Sequence, residues 1–324
     1  MIWVIGNKGM LGTELCDVLN ERKIDFIETG HEVDITDKQA LDNFISSQTE
    51  KKITCIINCS AYANVDKAES EIEQCYKINA EGTENLAKIS KQYGATLIHI
   101  STDYVFDGKS SEPYTENMKI NPIGVYGTSK AKGELAIQNK IKNFYIIRTA
   151  WLYGIYGKNF VKTMLKLLNE RNTIKVVNDQ FGTPTYARDL AHIISLFAYQ
   201  IENSSKNKIP FGIYHFTNIG KTSWYEFACK INELGQKYKL IKNNPQVLPC
   251  TTSEYPTAAI RPVYSVLSKE KIINAINNLD TDFKHSFEQY HIEQSAQSIW
   301  EIPDWQTSLE IYIKREKELQ NSCK

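Results

Sequence analysis

Along the first half of the chain, short apolar runs alternate with longer stretches whose apolar residues recur every three or four positions. The runs at 2–5, 25–28, 54–58, 96–101 and 145–149 have the length of strands buried on both faces. Between them, Leu11, Leu15, Val18 and Leu19 share one helical face, and Leu41, Phe44 and Ile45 share another after Asp37, which is placed to cap that helix. A long helix is expected over 72–92, and another runs on from Lys130 through Leu135 to Ile141. Strands and helices in strict alternation predict an α/β fold, a parallel sheet wound on both faces.

Beyond residue 150 the pattern is less regular. A helix is expected over 159–168 and a strand over 173–177, and the Gly and Pro of NDQFGTPT mark a loop. Arg188 and Asp189 open a helix carrying Leu190, Ile193, Ile194 and Phe197, which should return to the sheet. From Asp280 onward, Trp300 and Trp305 included, the chain reads as capping helices and a polar tail.

In a doubly wound sheet, ligands bind outside the carboxyl ends of the strands. The first such end runs into GNKGMLG, where Gly6, Gly9 and Gly12 are spaced G-x-x-G-x-x-G at a strand-to-helix turn. Glycines there allow a tight turn and close backbone approach, and the helix N-terminus offers free N–H groups to a pyrophosphate. A dinucleotide-binding, Rossmann-like unit over 1–150 follows, with a returning segment near 180–200. The remainder of 151–324 would form a smaller, mixed substrate-binding unit. Glu28 lies 16 residues past Gly12, where an acid bonds ribose hydroxyls and disfavours a 2′-phosphate, a leaning toward NADH over NADPH. After the third strand, the small residues Ser60, Ala61 and Ala63 would let a flat ring approach the backbone, although tight packing explains them equally.

The fourth strand end carries Thr102 and Asp103, and further on Tyr126 precedes Lys130 by one helical turn, so a phenol and an ammonium share a face. Spacing alone does not single this pair out, since Tyr238 and Lys242 repeat it among 18 Tyr. Asn159, Gln180 and Arg261 offer planar donors to a diphosphate or nucleobase, or serve as structural bridges.

Composition narrows the partners. Lys plus Arg and Asp plus Glu are 38 each, so no general basic field attracts nucleic acid, and a small-molecule ligand fits better. The seven Cys form no C-x-x-C pair and the six His no metal-ligand spacing, so thiols are expected reduced, His215 in the core, and no metal bound. Nothing resembles a signal peptide or a membrane span, which predicts a cytoplasmic protein away from membranes. A homodimer stands open beside the monomer.

The segments GNKGMLG, NCSAYANVDKAES, ISTDYVFDGK, NPIGVYGTSKAKGE, IIRTAWLYG, NFVKTML, VVNDQFGTPTYARDLA and RPVYSVLSKEK together resemble the extended short-chain dehydrogenase/reductase superfamily, and within it the dTDP-4-dehydrorhamnose reductase family. The resemblance implies reduction of a nucleotide sugar's C4 keto group with NADPH or NADH. Tyr126 would be the general acid, Lys130 would hold the nicotinamide ribose and, as a cation, ease ionisation of the phenol, and Thr102 would polarise the carbonyl. Asp103 and Trp151 would touch substrate, Trp151 through its ring face. Gly6, Gly9, Met10 and Leu11, beside Gly12, would meet the pyrophosphate, Asp34 and Ile35 the adenine, and Ala61, Tyr62 and Ala63 the ribose side. Many members have Thr in place of Ala63, so one ligand hydrogen bond is absent here. The related 4,6-dehydratases carry Asp-Glu where this chain has Asp103-Tyr104, and elimination lacks its base without the second carboxylate. Two alternatives share the resemblance: a non-catalytic regulatory subunit of the same fold, and a reductase or epimerase of another nucleotide sugar.

Overall fold

The computed structural model of the chain describes residues 1–203, 207–288 and 300–322. At its centre is a six-stranded, wholly parallel, Rossmann-like sheet. The strands are β1 (Ile2–Ile5), β2 (Phe26–Thr29), β3 (Cys55–Asn58), β4 (Thr96–Thr102), β5 (Phe144–Thr149) and β6 (Gly212–His215), and they lie in the order β2-β1-β3-β4-β5-β6. From β1 the chain steps outward to β2 on one side, then crosses back to β3 on the other. The crevice of a doubly wound sheet opens at that reversal, between β1 and β3. The apolar pattern did not flag β6: Gly212 opens it, and its four residues include one histidine.

The main helices are α1 (Met10–Glu21), α2 (Lys38–Ser47), α3 (Thr83–Tyr93), α4 (Val125–Lys140), α5 (Phe160–Glu170), α6 (Ala187–Glu202), α7 (Trp224–Lys237), α8 (Glu270–Asn277) and α9 (Trp305–Ser322). Side chains alternate across the sheet, as a pleat requires. Ile2, Val4, Cys55, Ile57, Ile98 and Ile147 enter one core with α1, α6 and α8, while Trp3, Ile5, Ile56, Leu97 and Ile146 enter another with α2 and α3. This explains why the strands read as unbroken apolar runs. The helix expected over 72–92 is interrupted by a π-helical stretch, Lys77–Gly82, which places Asn79 in the interior.

The C-terminal part holds three short strand pairs and a third core. Thr173–Val177 pairs in parallel with Gln246–Cys250, Phe181–Gly182 antiparallel with Thr222–Ser223, and Leu152–Tyr153 in parallel with Thr185–Tyr186. The core joins α5 and α7 to Trp305, Leu309, Tyr312 and Ile313 of α9. As expected from its apolar stripe, α6 returns to the sheet, packing on α1. The tail is more than polar capping: Nη1 of Arg315 donates to both carboxylate oxygens of the fully buried Glu14 in α1, at 3.0 and 2.8 Å. Most of the segment between Asp280 and Trp300 lies outside the described residues.

Candidate active site

The carboxyl ends of β1, β3 and β4 bring the expected residues to one edge. β1 leads into Gly6 at φ 86°, a left-handed conformation that favours glycine. A Cβ there would sit 2.7 Å from the Ser60 nitrogen, and one on Gly12 would sit 2.0 Å from the Gly6 carbonyl oxygen. The turn, the start of α1 and the end of β3 are thus pressed together. α1 begins after Gly9 with no side-chain cap, leaving the first N–H groups, those of Met10 and Leu11 among them, for a ligand. Asn7 Oδ1, in the same turn, is buried without a partner. A close-approach turn and an uncapped helix start fit the pyrophosphate of a dinucleotide, and the orphaned amide oxygen suits a donor such as a hydroxyl.

Around this turn, Glu28 is exposed in β2 next to the buried Thr29, whose hydroxyl accepts a hydrogen bond from Trp3 Nε1 at 3.0 Å. Asp34 Oδ1 accepts from the Thr36 nitrogen at 2.8 Å, and Ile35 is buried with its carbonyl held by Asn85 at 3.2 Å. Ala61 and Ala63 are exposed on either side of Tyr62. Asn79 grips this loop from beneath: its Oδ1 accepts from the Tyr62 nitrogen at 2.9 Å, and its Nδ2 donates to the Tyr62 oxygen at 3.0 Å. Asn79 did not stand out in the sequence. Its one signal is an Asn inside an otherwise helical stretch.

At the end of β4 lies the polar centre. Thr102 Oγ1 donates to Asp103 Oδ1 at 2.9 Å, and its hydroxyl stands near enough to the Tyr126 phenol to ease the phenol's ionisation. Burial pushes the Tyr126 phenol up, with the Thr102 hydroxyl opposing, so the group stays protonated as a general acid must. The Tyr104 ring meets that of Tyr126 edge to face at 5.5 Å, and its hydroxyl is bonded by Arg261 Nη1 at 3.1 Å. Position 104 therefore puts a phenol pushed up to about 12, not a carboxylate, beside the acid.

Asp103 is 2% exposed with Oδ2 unpartnered, and burial raises its carboxyl from 3.8 to about 6. Folding thus favours the protonated acid, so this group lowers stability progressively as pH rises from about 4 to about 6. Relative to wild type, Asp103→Asn should gain about 2 kcal/mol between pH 4.5 and pH 8 in urea unfolding. A difference that stays flat with pH would contradict this.

Lys130 is 2% exposed, on the face of α4 turned to β4. Its Nζ lies 2.6 Å from the Ile100 carbonyl oxygen and 3.2 Å from His99 Nε2, and burial brings it down to about 8. In this structure the lysine amine is engaged by these two groups rather than by the Tyr126 phenol. α4 can approach β4 because residue 127 has no side chain: a Cβ on Gly127 would lie 2.1 Å from the Tyr104 carbonyl oxygen. Gly127→Ala should therefore cost about 1–3 kcal/mol of stability in urea unfolding and displace Tyr126. A wild-type midpoint would contradict that close approach.

The outlying candidates are engaged within the protein. Trp151 adopts φ 49° and stacks on Trp224 at 3.6 Å, so one face of its ring is covered. Asn159 caps α5, accepting from the Lys162 nitrogen at 3.0 Å while Nδ2 donates to the Gly154 oxygen at 2.7 Å. Gln180 donates to Thr252 Oγ1 at 3.1 Å. Arg261 bridges Tyr104 and Asp66, the latter at 2.7 Å, closing the C-terminal part over the edge of the site. Asn159 and Arg261 thus make the structural contacts that the sequence also allowed. The decoy pair separates: Tyr238 bonds Glu310, whereas the Lys242 nitrogen bonds Asn169. His215 is buried in the core as expected.

Comparison with known proteins supplies the family. The family model described as RmlD substrate binding domain matches residues 1–297. A dTDP-4-dehydrorhamnose reductase of Aggregatibacter actinomycetemcomitans is 38% identical over 289 residues, covering 87% of this chain and 95% of the relative. Among solved structures, the dTDP-4-dehydrorhamnose reductase of Clostridium acetobutylicum aligns with a TM-score of 0.82 at 36% identity, covering 98% of this chain and 99% of its own. That of Bacillus anthracis, solved in complex with NADP, aligns with a TM-score of 0.80 at 36% identity over 97% and 98% of the two chains. With its glycine turn, Thr102, Tyr126 and Lys130 in place, the chain belongs to the RmlD substrate binding domain family, among relatives that are dTDP-4-dehydrorhamnose reductases.

Proposed function

We propose that the protein reduces the C4 keto group of dTDP-4-dehydrorhamnose to give dTDP-L-rhamnose, with NADPH or NADH as reductant. The observation that carries this reading is the juxtaposition of Thr102 and Tyr126 at the carboxyl end of β4, with Tyr104 in place of a second carboxylate. A reduced nicotinamide, when bound, supplies the hydride that reaches C4.

The protein's own groups handle the oxygen. Thr102 polarises the carbonyl, and the Tyr126 phenol gives its proton to the oxygen as negative charge develops there. The resulting phenolate recovers a proton from solvent. Met10, Leu11 and the glycine turn would hold the pyrophosphate, Asn79 would keep Ala61 and Ala63 positioned beside the ribose, and Lys130 would hold the nicotinamide ribose. The orphaned Oδ2 of Asp103 is placed to accept from a sugar hydroxyl.

The test is an assay of the purified protein against a panel of nucleotide keto-sugars with each reduced cofactor, read by loss of nicotinamide absorbance. Consumption of NADPH or NADH with dTDP-4-dehydrorhamnose, and formation of dTDP-L-rhamnose, is the expected result. Turnover confined to another nucleotide sugar, or none at all, would reject the assignment.

A further inference from the structure

Behind the catalytic helix, three elements converge on Lys130. Asn58, the last residue of β3, is 1% exposed, and its Oδ1 accepts from the Ser60 nitrogen at 3.0 Å and from Ser60 Oγ at 2.6 Å. A backbone N–H can only donate, so the amide oxygen must face Ser60 and the amide nitrogen must face the other way. What it faces is His99 Nδ1, at 3.0 Å, in the middle of β4. An amide N–H₂ can only donate, so Nδ1 carries the lone pair. Burial holds this imidazole neutral, so its proton sits on Nε2.

That proton points at Lys130 Nζ, 3.2 Å away. An ammonium has only donors and would place N–H against N–H. An amine has a lone pair for the Nε2–H and a hydrogen for the Ile100 carbonyl oxygen at 2.6 Å. We propose that His99 is a positioning residue which, locked as its Nε2–H tautomer by Asn58 and Ser60, docks Lys130 against β4 and favours its neutral amine in the cofactor-free protein.

The other groups facing Lys130 leave this arrangement intact. Glu134, one turn on along α4, favours the ammonium but is paired with Arg148 at 2.6 Å. Cys59, past the end of β3, and Cys75, on the segment packed beside α4, also favour it only as thiolates, and burial pushes both thiols up. The consequence is a coupled step. Engaging a ribose hydroxyl and an anionic pyrophosphate favours the charged lysine, so above the lysine's midpoint cofactor binding should draw Lys130 away from His99 with uptake of a proton. The docking does not depend on the proposed reaction; only this coupling depends on Lys130 holding the cofactor.

Nuclear magnetic resonance on the cofactor-free protein tests the docking directly. Imidazole ¹⁵N shifts should show His99 as the Nε2–H tautomer across pH 6–9, and the Lys130 Cε resonance should titrate near pH 8. In Asn58→Asp the carboxylate would require a proton on Nδ1, presenting an Nε2 lone pair to an ammonium. In His99→Gln a carbonyl oxygen could do the same. Both variants should raise the Lys130 midpoint by at least about one pH unit. In wild type, the affinity for NADPH measured by fluorescence quenching should fall about tenfold per pH unit above that midpoint, and in both variants the break should move upward with it. An Nδ1–H tautomer, or a wild-type Lys130 titrating in the ordinary lysine range, would overturn the docking whatever the variants do. An affinity break that stays in place while the Lys130 midpoint moves would overturn the coupling.

Discussion

Tyr126→Phe should lower kcat by about 10²–10⁴-fold, the range a positioned general acid contributes, while leaving cofactor affinity close to wild type. The substitution removes one hydroxyl and keeps the ring, so the edge-to-face contact with Tyr104 at 5.5 Å survives. What disappears is the proton poised at Thr102. Burial holds that phenol protonated in the free protein, the state needed for a reduction, in which the oxygen of the substrate gains a proton. Steady-state kinetics at saturating cofactor, with a direct binding measurement alongside, separates chemistry from binding. A variant retaining more than about a tenth of the wild-type kcat would mean that another group, or water, delivers the proton.

The parts of this site that were legible in sequence are those set by one segment at a time. Runs such as TCIIN read as strands because both faces are buried, and the alternation of Ile56 with Cys55 and Ile57 between two cores leaves no polar position to break the run. The glycine turn was legible because two close backbone approaches within one short loop, at Gly6 and Gly12, exclude side chains. Thr102 followed from its place at a strand end. Strand β6 was missed because an isolated GIYH has too little pattern, and it becomes a strand only through its pairing with β5. The Trp151–Trp224 stack joins residues far apart in the chain, so the sequence did not show that one face of the Trp151 ring is covered.

Lys130 shows the limit most clearly. Its spacing from Tyr126 suggested a cation beside a phenol, yet its place in the structure is set by His99, whose tautomer is set by Asn58, whose orientation is set by Ser60. Neither His99 nor Asn58 has a functional signature in the sequence, and Ser60 stood out there only as a small residue. Asn159 and Arg261 show the complementary case: side chains suited to recognising a phosphate are equally suited to capping a helix and bridging two segments, as they do here, and the sequence does not distinguish the uses.

Glu134→Gln should cost about 3–5 kcal/mol, a loss large enough to read as a clear drop in unfolding midpoint. Glu134 is fully buried, and Arg148 is 2% exposed. The two form a paired contact, Nε to Oε1 at 2.9 Å and Nη2 to Oε2 at 2.6 Å, and Ser101 Oγ donates to the same Oε1 at 2.5 Å. Nη1 of Arg148 meets His215 Nε2 at 3.3 Å, with Nδ1 of that ring facing the Tyr114 carbonyl oxygen at 3.0 Å, so His215 is a neutral acceptor and cannot neutralise the guanidinium. Removing the carboxylate therefore leaves Arg148 charged, buried and uncompensated, which costs far more than the pair contributes over an apolar replacement. For that reason the double substitution Glu134→Leu with Arg148→Met should recover most of the loss. If the single and double variants were equally destabilised, packing rather than charge would govern this layer. The same carboxylate favours the ammonium form of Lys130, so Glu134→Gln should also lower the Lys130 midpoint below about 8, opposite to the direction expected for His99→Gln.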